Sequence, residues 1–454
     1  VHGIGDLAAQ VQSHRPGDEI VLEIHRDGST TEATATLGSD GTRTEAAWGC
    51  CGPESETAAD GTVTDTAYDA LNRPVLATRA GHGTRPDLFT ETAYDAAGRV
   101  TFRRTSSGGL SQTTTNTYDL AGRLTWSRGP DGIETAYSYG SNSTTTIRGG
   151  LTNLSVRFAD GRAHYSEQNG VRQQTYAYGL DASSPGCQTT TLFTGPEGTN
   201  SPVWSRTVTD SLGRTIAQIR PGFGAALLVT SNFYDTANHL VRTSTLCDSA
   251  PLRSTIFTYD ELGNRVLTCQ DLNLNGTIDL SGPDRVSETH TAYESHESHW
   301  WQVSTSITYP ADGSAAPLTN AIARTRLTGL GSAYSADGAS GILTAESVSI
   351  DARGNQTVSR TVVDRANKTV YQVNDTPDSS VAALTVTVNG LVQSSRSTHD
   401  LTTTYVYDAL GRQVAVQDAR GAIHSRGYDD LGRVAWESDP ATNGTWYAYD
   451  VLGR

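Results

Sequence analysis

Apolar and polar residues alternate in short runs along most of this chain, and the alternation predicts β-strands. Val100 and Phe102, Leu124 and Trp126, and Val434 and Trp436 put apolar groups on one face. Arg99 and Thr101, Arg123 and Thr125, and Arg433 and Ala435 take the other. Threonine is plentiful and long apolar helical periodicities are absent, which favours strands over βαβ units. The opening differs. Asp6–Gln12 reads as a short helix, with Asp6 as N-cap and Leu7 and Val11 one turn apart. Ile20, Leu22 and Ile24 then share one face of a strand over Glu19–His25. Arg26-Asp27-Gly28-Ser29 turns the chain into a second strand over Thr30–Leu37. Residues 39–61, rich in Gly, Ser, Thr and acids without a period, read as a linker.

From there one word recurs, Tyr-Asp-x-x-Gly-Arg. Its full copies are Tyr94, Asp95, Gly98, Arg99; Tyr118, Asp119, Gly122, Arg123; Tyr407, Asp408, Gly411, Arg412; Tyr428, Asp429, Gly432, Arg433; and Tyr449, Asp450, Gly453, Arg454. Degenerate copies start at Tyr68, Tyr234 and Tyr259, and Asp210 and Asp351 head copies that lack the Tyr. Asp first and Gly fourth suit a type I turn closed by a G1 bulge, with the Gly left-handed. Asn72 and Asn238 replace that Gly in two copies, and Asn tolerates positive φ best among the other residues. This turn pairs Tyr94 with Val100, Tyr118 with Leu124, Tyr234 with Leu240 and Tyr428 with Val434. One such hairpin cannot bury its own apolar face, so successive hairpins must pair laterally into a long sheet. Strand twist curls that sheet into a spiral or shell.

These words resemble the YD-repeat, or RHS-repeat, family over residues 62–454. The resemblance implies an all-β hollow shell of antiparallel hairpins, as in bacterial RHS toxins and the teneurin-like adhesion proteins. Such shells enclose a toxin-like polypeptide or act at cell surfaces, some by binding carbohydrate. The family's C-terminal core motif is absent from this sequence. Residues 1–38, with the words DLAAQVQSHRPGDEIVLEIHRDG and ATATLG, resemble the C-terminal half of a PDZ domain of the kind attached to HtrA-type serine proteases. That places Leu7–His14 on the helix lining a peptide groove.

Composition narrows the function classes. With 454 residues and a net charge of −15, the chain would repel nucleic-acid phosphates; Lys368 is its only lysine. No run reaches the roughly 18 apolar residues of a membrane-spanning helix. With Val1 first and no Met, and with Arg454 falling inside a repeat word, both ends are expected to lie inside a longer sequence. Cys50, Cys51, Cys187, Cys247 and Cys269 show no zinc spacing, and a disulfide between Cys247 and Cys269 is one option.

Asp271, Asn273, Asn275 and Asp279, with Gly276 between, imitate a calcium loop of the EF-hand type. Position 12 is Gly282 rather than the bidentate Glu; Asp284 is the substitute, and a polar hairpin insertion is the alternative. His290, Glu294, His296, Glu297 and His299 precede Trp300-Trp301 without metalloprotease spacing and read as a solvated strand. No nucleophile motif or phosphate loop appears. The repeat tyrosines read as cross-strand packing, with a sugar-binding wall as the alternative. The expectation is a noncatalytic, secreted or cell-surface scaffold that encapsulates a polypeptide or binds at a cell surface, with calcium its sole candidate cofactor. The rival expectation gives the activity to an upstream HtrA-like protease or a downstream toxin domain.

Overall fold

A computed structural model describes residues 19–26, 29–36, 44–224, 226–310 and 315–450. It is almost entirely antiparallel β, and Gly198–Asn200 is the single helical turn among the described residues. Among the described residues, 34 strands run in one sheet from Glu45 to Trp446, each paired with its chain neighbour. The exception is the short strand Ala333–Ala336. It pairs only with Ala339–Asp351, which reaches past it to Leu318–Arg326.

The turn chemistry explains the register. In the Tyr94 hairpin, Gly98 N–H donates to Asp95 O at 3.0 Å and Asp95 N–H to Arg99 O at 2.9 Å. Gly98 and Gly122 have φ of +82° and +85°, and Asn72 and Asn238 follow at +62° and +72°. The four expected pairs, Tyr94–Val100, Tyr118–Leu124, Tyr234–Leu240 and Tyr428–Val434, all form.

The sheet coils back on itself. Turns at the lower ends of early strands rest on the upper turns of strands 287 to 327 residues later. Thr62 Oγ1 donates to Asn389 Oδ1 at 3.0 Å, and Asn389 Nδ2 to Ala80 O at 3.3 Å. Arg79 donates to Asn389 O at 2.9 Å, and Lys368 Nζ to Gly81 O at 2.9 Å. Further along, a Cβ on Gly108 would stand 2.7 Å from the Ala409 methyl and one on Gly132 3.0 Å from Leu431, so these glycines admit the close approach. Leu212 and Leu262 occupy the same turn position as Leu431 and are more than 70% exposed. Apolar burial is otherwise local. Ala339, Leu343, Val362, Val373, Ala382 and Leu384 form one cluster, and Trp301, Val303 and Val348 another.

Two sequence expectations change. Strands Glu45–Trp48 and Pro53–Thr57 lie inside the expected linker 39–61, because a Gly-Cys-Cys-Gly turn closes a hairpin there without the repeat word. Cys247 and Cys269 sit on strands separated by Ala250–Tyr259 and are free thiols, so that disulfide is not formed. At the N-terminus Glu19–Arg26 and Ser29–Thr36 form the expected hairpin. The helix over Asp6–Gln12, and Gly453 and Arg454 of the last repeat word, lie outside the described residues.

Candidate functional site

Two constellations carry the side-chain chemistry. The first is a ladder built by the repeat word. Each turn Asp accepts its own Arg: Arg99 Nε lies 2.6 Å from Asp95 Oδ2, Arg123 Nε 2.8 Å from Asp119 and Arg433 Nε 2.8 Å from Asp429. The Asp95 carboxyl is held below its usual range, first by the Arg99 backbone N–H and then by its guanidinium. The same Arg reaches the next hairpin, where Arg99 Nη1 donates to Asp119 O at 3.0 Å. Its guanidinium covers the next Tyr. Arg99 lies 4.9 Å from the Tyr118 ring centre, Arg123 4.5 Å from Tyr139, Arg412 4.4 Å from Tyr428 and Arg433 4.4 Å from Tyr449. Each Tyr hydroxyl then donates back to the carbonyl just after the preceding turn: Tyr94 to Pro74, Tyr118 to Val100, Tyr428 to Gln413 and Tyr449 to Val434. These tyrosines pack between hairpins, and the face covered by Arg is not open to a sugar ring.

The sequence reading missed rungs of this ladder. Phe158 takes the Asp position of one turn, and Asp160, two residues on, clamps Arg162 over Tyr178 at 4.3 Å. The signal was the Gly161-Arg162 pair behind an Asp. In another repeat His239 replaces Arg; it stacks on Tyr259 at 4.6 Å and sits 3.1 Å from Asp235.

The second constellation is the loop after strand Arg265–Asp271, and it gathers all five expected oxygen-bearing residues. Asp271 and Asp284 are only 2% and 1% exposed. Asp271 accepts the backbone N–H groups of Asn275 and Gly276, and Asp284 those of Leu272 and Asp279. Asn273 and Asn275 each donate an amide N–H to Asp279 Oδ2 at 2.8 Å, and these amides hold its carboxyl below the usual range. The Cys269 thiol donates to Asp284 at 3.4 Å; burial, then that carboxylate, pushes it up to about 12. Among the described residues none of the three carboxylates forms an ion pair. No group of three His, Cys, Asp or Glu side chains there is placed to hold a metal. The histidine cluster lies on a long hairpin, Arg285–His296 with His299–Tyr309, turning at Glu297 and Ser298; its first strand is mostly exposed and its second mostly half-buried.

Residues 388–423 match the family model described as RHS Repeat. No curated protein matches the chain. Among solved structures, the crystal structure of TcdB2-TccC3 is 10% identical, with 97% of this chain and 26% of that one covered and a TM-score of 0.26. TcdB2-TccC3 without its hypervariable C-terminal region is 10% identical, covering 96% and 26%, with a TM-score of 0.29. The Tc holotoxin pore of Photorhabdus luminescens is 10% identical, covering 93% and 33%, with a TM-score of 0.17. The chain thus spans about a quarter to a third of the length of these solved chains.

Proposed function

Given a chain that belongs to the RHS-repeat family, we propose that it is a noncatalytic stretch of shell wall that encloses a polypeptide in an exported protein. The observation that carries this reading is the contact between successive coils of the sheet. A wall must seal between its coils, and Asn389, Lys368 and Leu431 make that seal to Thr62, Gly81 and Gly132. The Asp-Arg-Tyr ladder seals between hairpins within a coil. No helix among the described residues is long and apolar enough to cross a membrane.

The test fuses a protease-sensitive reporter polypeptide behind Arg454 and measures its cleavage in the folded fusion and in one unfolded by denaturant. Enclosure predicts slow cleavage that becomes fast on unfolding. Cleavage as fast as that of the free reporter refutes it and favours display at a cell surface. A PDZ-like half domain at residues 1–38 would add a peptide-docking element beside the wall, and an attached HtrA-like protease or toxin domain would supply activity from outside these residues.

We propose calcium as a ligand of the loop Asp271–Asp284, taken up after its side chains rearrange, since no three of its acids are placed to hold a metal as they stand. Its donors are all oxygen, which suits a hard cation, and two of its carboxylates are buried without a cationic side chain. Asp271, Asn273, Asn275, Asp279 and Asp284 would hold the ion, with both Asn amides turned to present oxygen. Lacking the bidentate Glu, the site should bind at about 10⁻⁴–10⁻³ M, the extracellular range. Calorimetric titration of wild type and Asp271→Ala decides: heat only from wild type supports the site, and no heat, or equal heat, refutes it.

A further inference from the structure

Tyr68 opens the first repeat word, yet its hydroxyl donates to Pro53 O at 3.0 Å, 15 residues back. Tyr139, Tyr428 and Tyr449 reach back the same 15 residues to the carbonyls that follow the preceding turns. Trp48 pairs with Pro53 as Tyr68 pairs with Pro74. The hairpin Glu45–Thr57 therefore stands where a preceding repeat would stand. Its turn, however, is Gly49-Cys50-Cys51-Gly52, with neither the Asp nor the Arg of the clamp.

Two thiols take their place. Cys50 Sγ and Cys51 Sγ are 2.8 Å apart, in a turn closed by Gly49 N–H donating to Gly52 O at 2.9 Å. Gly52 has φ of +150° and lies against Tyr68; a Cβ there would stand 2.6 Å from the phenol oxygen. The turn is thereby seated on the first tyrosine of the array. Cys50 is exposed and Cys51 half-buried, whereas Cys187 and Cys269 are buried.

We propose that Cys50 and Cys51 are a thiol–disulfide exchange site that takes small disulfides of the glutathione class, closing to a vicinal disulfide and locking the first hairpin onto Tyr68. The Cys50 thiolate attacks one sulfur of the small disulfide, and the other half leaves as a thiolate that takes a proton from water. Cys51 loses its proton to solvent, attacks Cys50 Sγ and expels the second small thiol. The protein dithiol is oxidised by two electrons, and one small disulfide becomes two thiols. The order follows from exposure. The Cys51 thiol is also raised above its ordinary value, first by its hydrogen bond with Cys50. Neighbouring Cα atoms are about 3.8 Å apart, short of the about 4.4–6.8 Å span of ordinary disulfides, so a vicinal ring is strained and reopens readily. Glu54 and Asp69 are the acidic groups facing the pair.

The test uses the full reduced chain, incubated with oxidised glutathione and quenched with N-ethylmaleimide. The mass of the tryptic peptide carrying both cysteines is then read. The expected peptide has lost two hydrogens, carries no maleimide and recovers two alkylatable thiols after dithiothreitol. In Cys51→Ser one glutathione should remain on Cys50, because no resolving thiol is present. Oxidation should also slow proteolysis between Glu45 and Thr57 by several-fold. A wild-type peptide that keeps two maleimides or one glutathione on each cysteine overturns the exchange site, and equal proteolysis of the two forms overturns the lock.

Discussion

Asn389 offers the sharpest probe of the contact between coils. It is only 6% exposed, has φ of +50°, and its side chain satisfies Thr62 Oγ1 and Ala80 O, more than 300 residues away in sequence. Asn389→Ala strands the Thr62 hydroxyl, which is itself 4% exposed, at a cost of about 1–3 kcal/mol. The longer bond to Ala80 O adds about 0.5–1 kcal/mol. Ala also bears a left-handed penalty of about 1 kcal/mol that Asn largely escapes. The sum is about 2.5–5 kcal/mol of local stability. Asn389→Gly loses the same two bonds without the conformational penalty, so it should sit about 1 kcal/mol above the Ala variant. A repeat array need not unfold in one step, so global denaturation can miss the effect. Native-state hydrogen exchange of the amides around Thr62 and Ala80 reads it directly, because opening the contact exposes both segments. Protection unchanged in both variants refutes the stitch. Equal losses in Ala and Gly refute the conformational part of the sum.

Other outcomes follow from the turns. Gly98→Ala and Gly122→Ala should each cost about 1 kcal/mol, read by native-state hydrogen exchange of their hairpins, purely from positive φ, because Gly98 has no atom near the site of a new Cβ and Gly122 only the Arg99 guanidinium at 3.6 Å; Asn72→Gly should be neutral or favourable. Thr442, a β-branched residue at φ of +66°, should gain about 1 kcal/mol on substitution by Gly, and a loss would refute the strain. Asp95, Asp119 and Asp429 titrate below their ordinary range, with hydrogen bonds from Arg99, Arg123 and Arg433 lowering each. Burial opposes the shift in all three and is its largest contribution at Asp429. Their contribution is therefore complete above the unfolded value near pH 4 and is lost as pH falls through the lower folded values. Melting temperature should drop steeply below about pH 4. A flat acid limb refutes the clamp.

What the sequence discloses is local. Gly98, Gly122, Asn72 and Asn238 name their own backbone conformation, and from that the bulge, the register and the strand pairs follow. The hairpin at Glu45–Thr57 was hidden because Gly-Cys-Cys-Gly closes it without an Asp or an Arg, and the Phe158 turn because its Asp had slid two positions. The loop residues Asp271 to Asp284 were legible as a group, but the inward hydrogen bonds of Asn273 and Asn275 were not. The union of Thr62 with Asn389 leaves no trace in either local pattern, since it depends on the accumulated twist of every strand between them.

That dependence makes the array a vernier. Asn389 meets Thr62, Ala409 meets Gly108 and Leu431 meets Gly132 only because a fixed number of strands intervenes. Removing one hairpin from the stretch between them would advance every later turn tip by one place, and all of these contacts would miss together. Lengthening a loop changes no phase, which is why an insertion as large as Asp271–Asp284 can be carried at one edge. Evolution of such a chain should therefore be free in loop length yet quantised in hairpin number, with viable gains or losses arriving in blocks that restore the meeting of the coils.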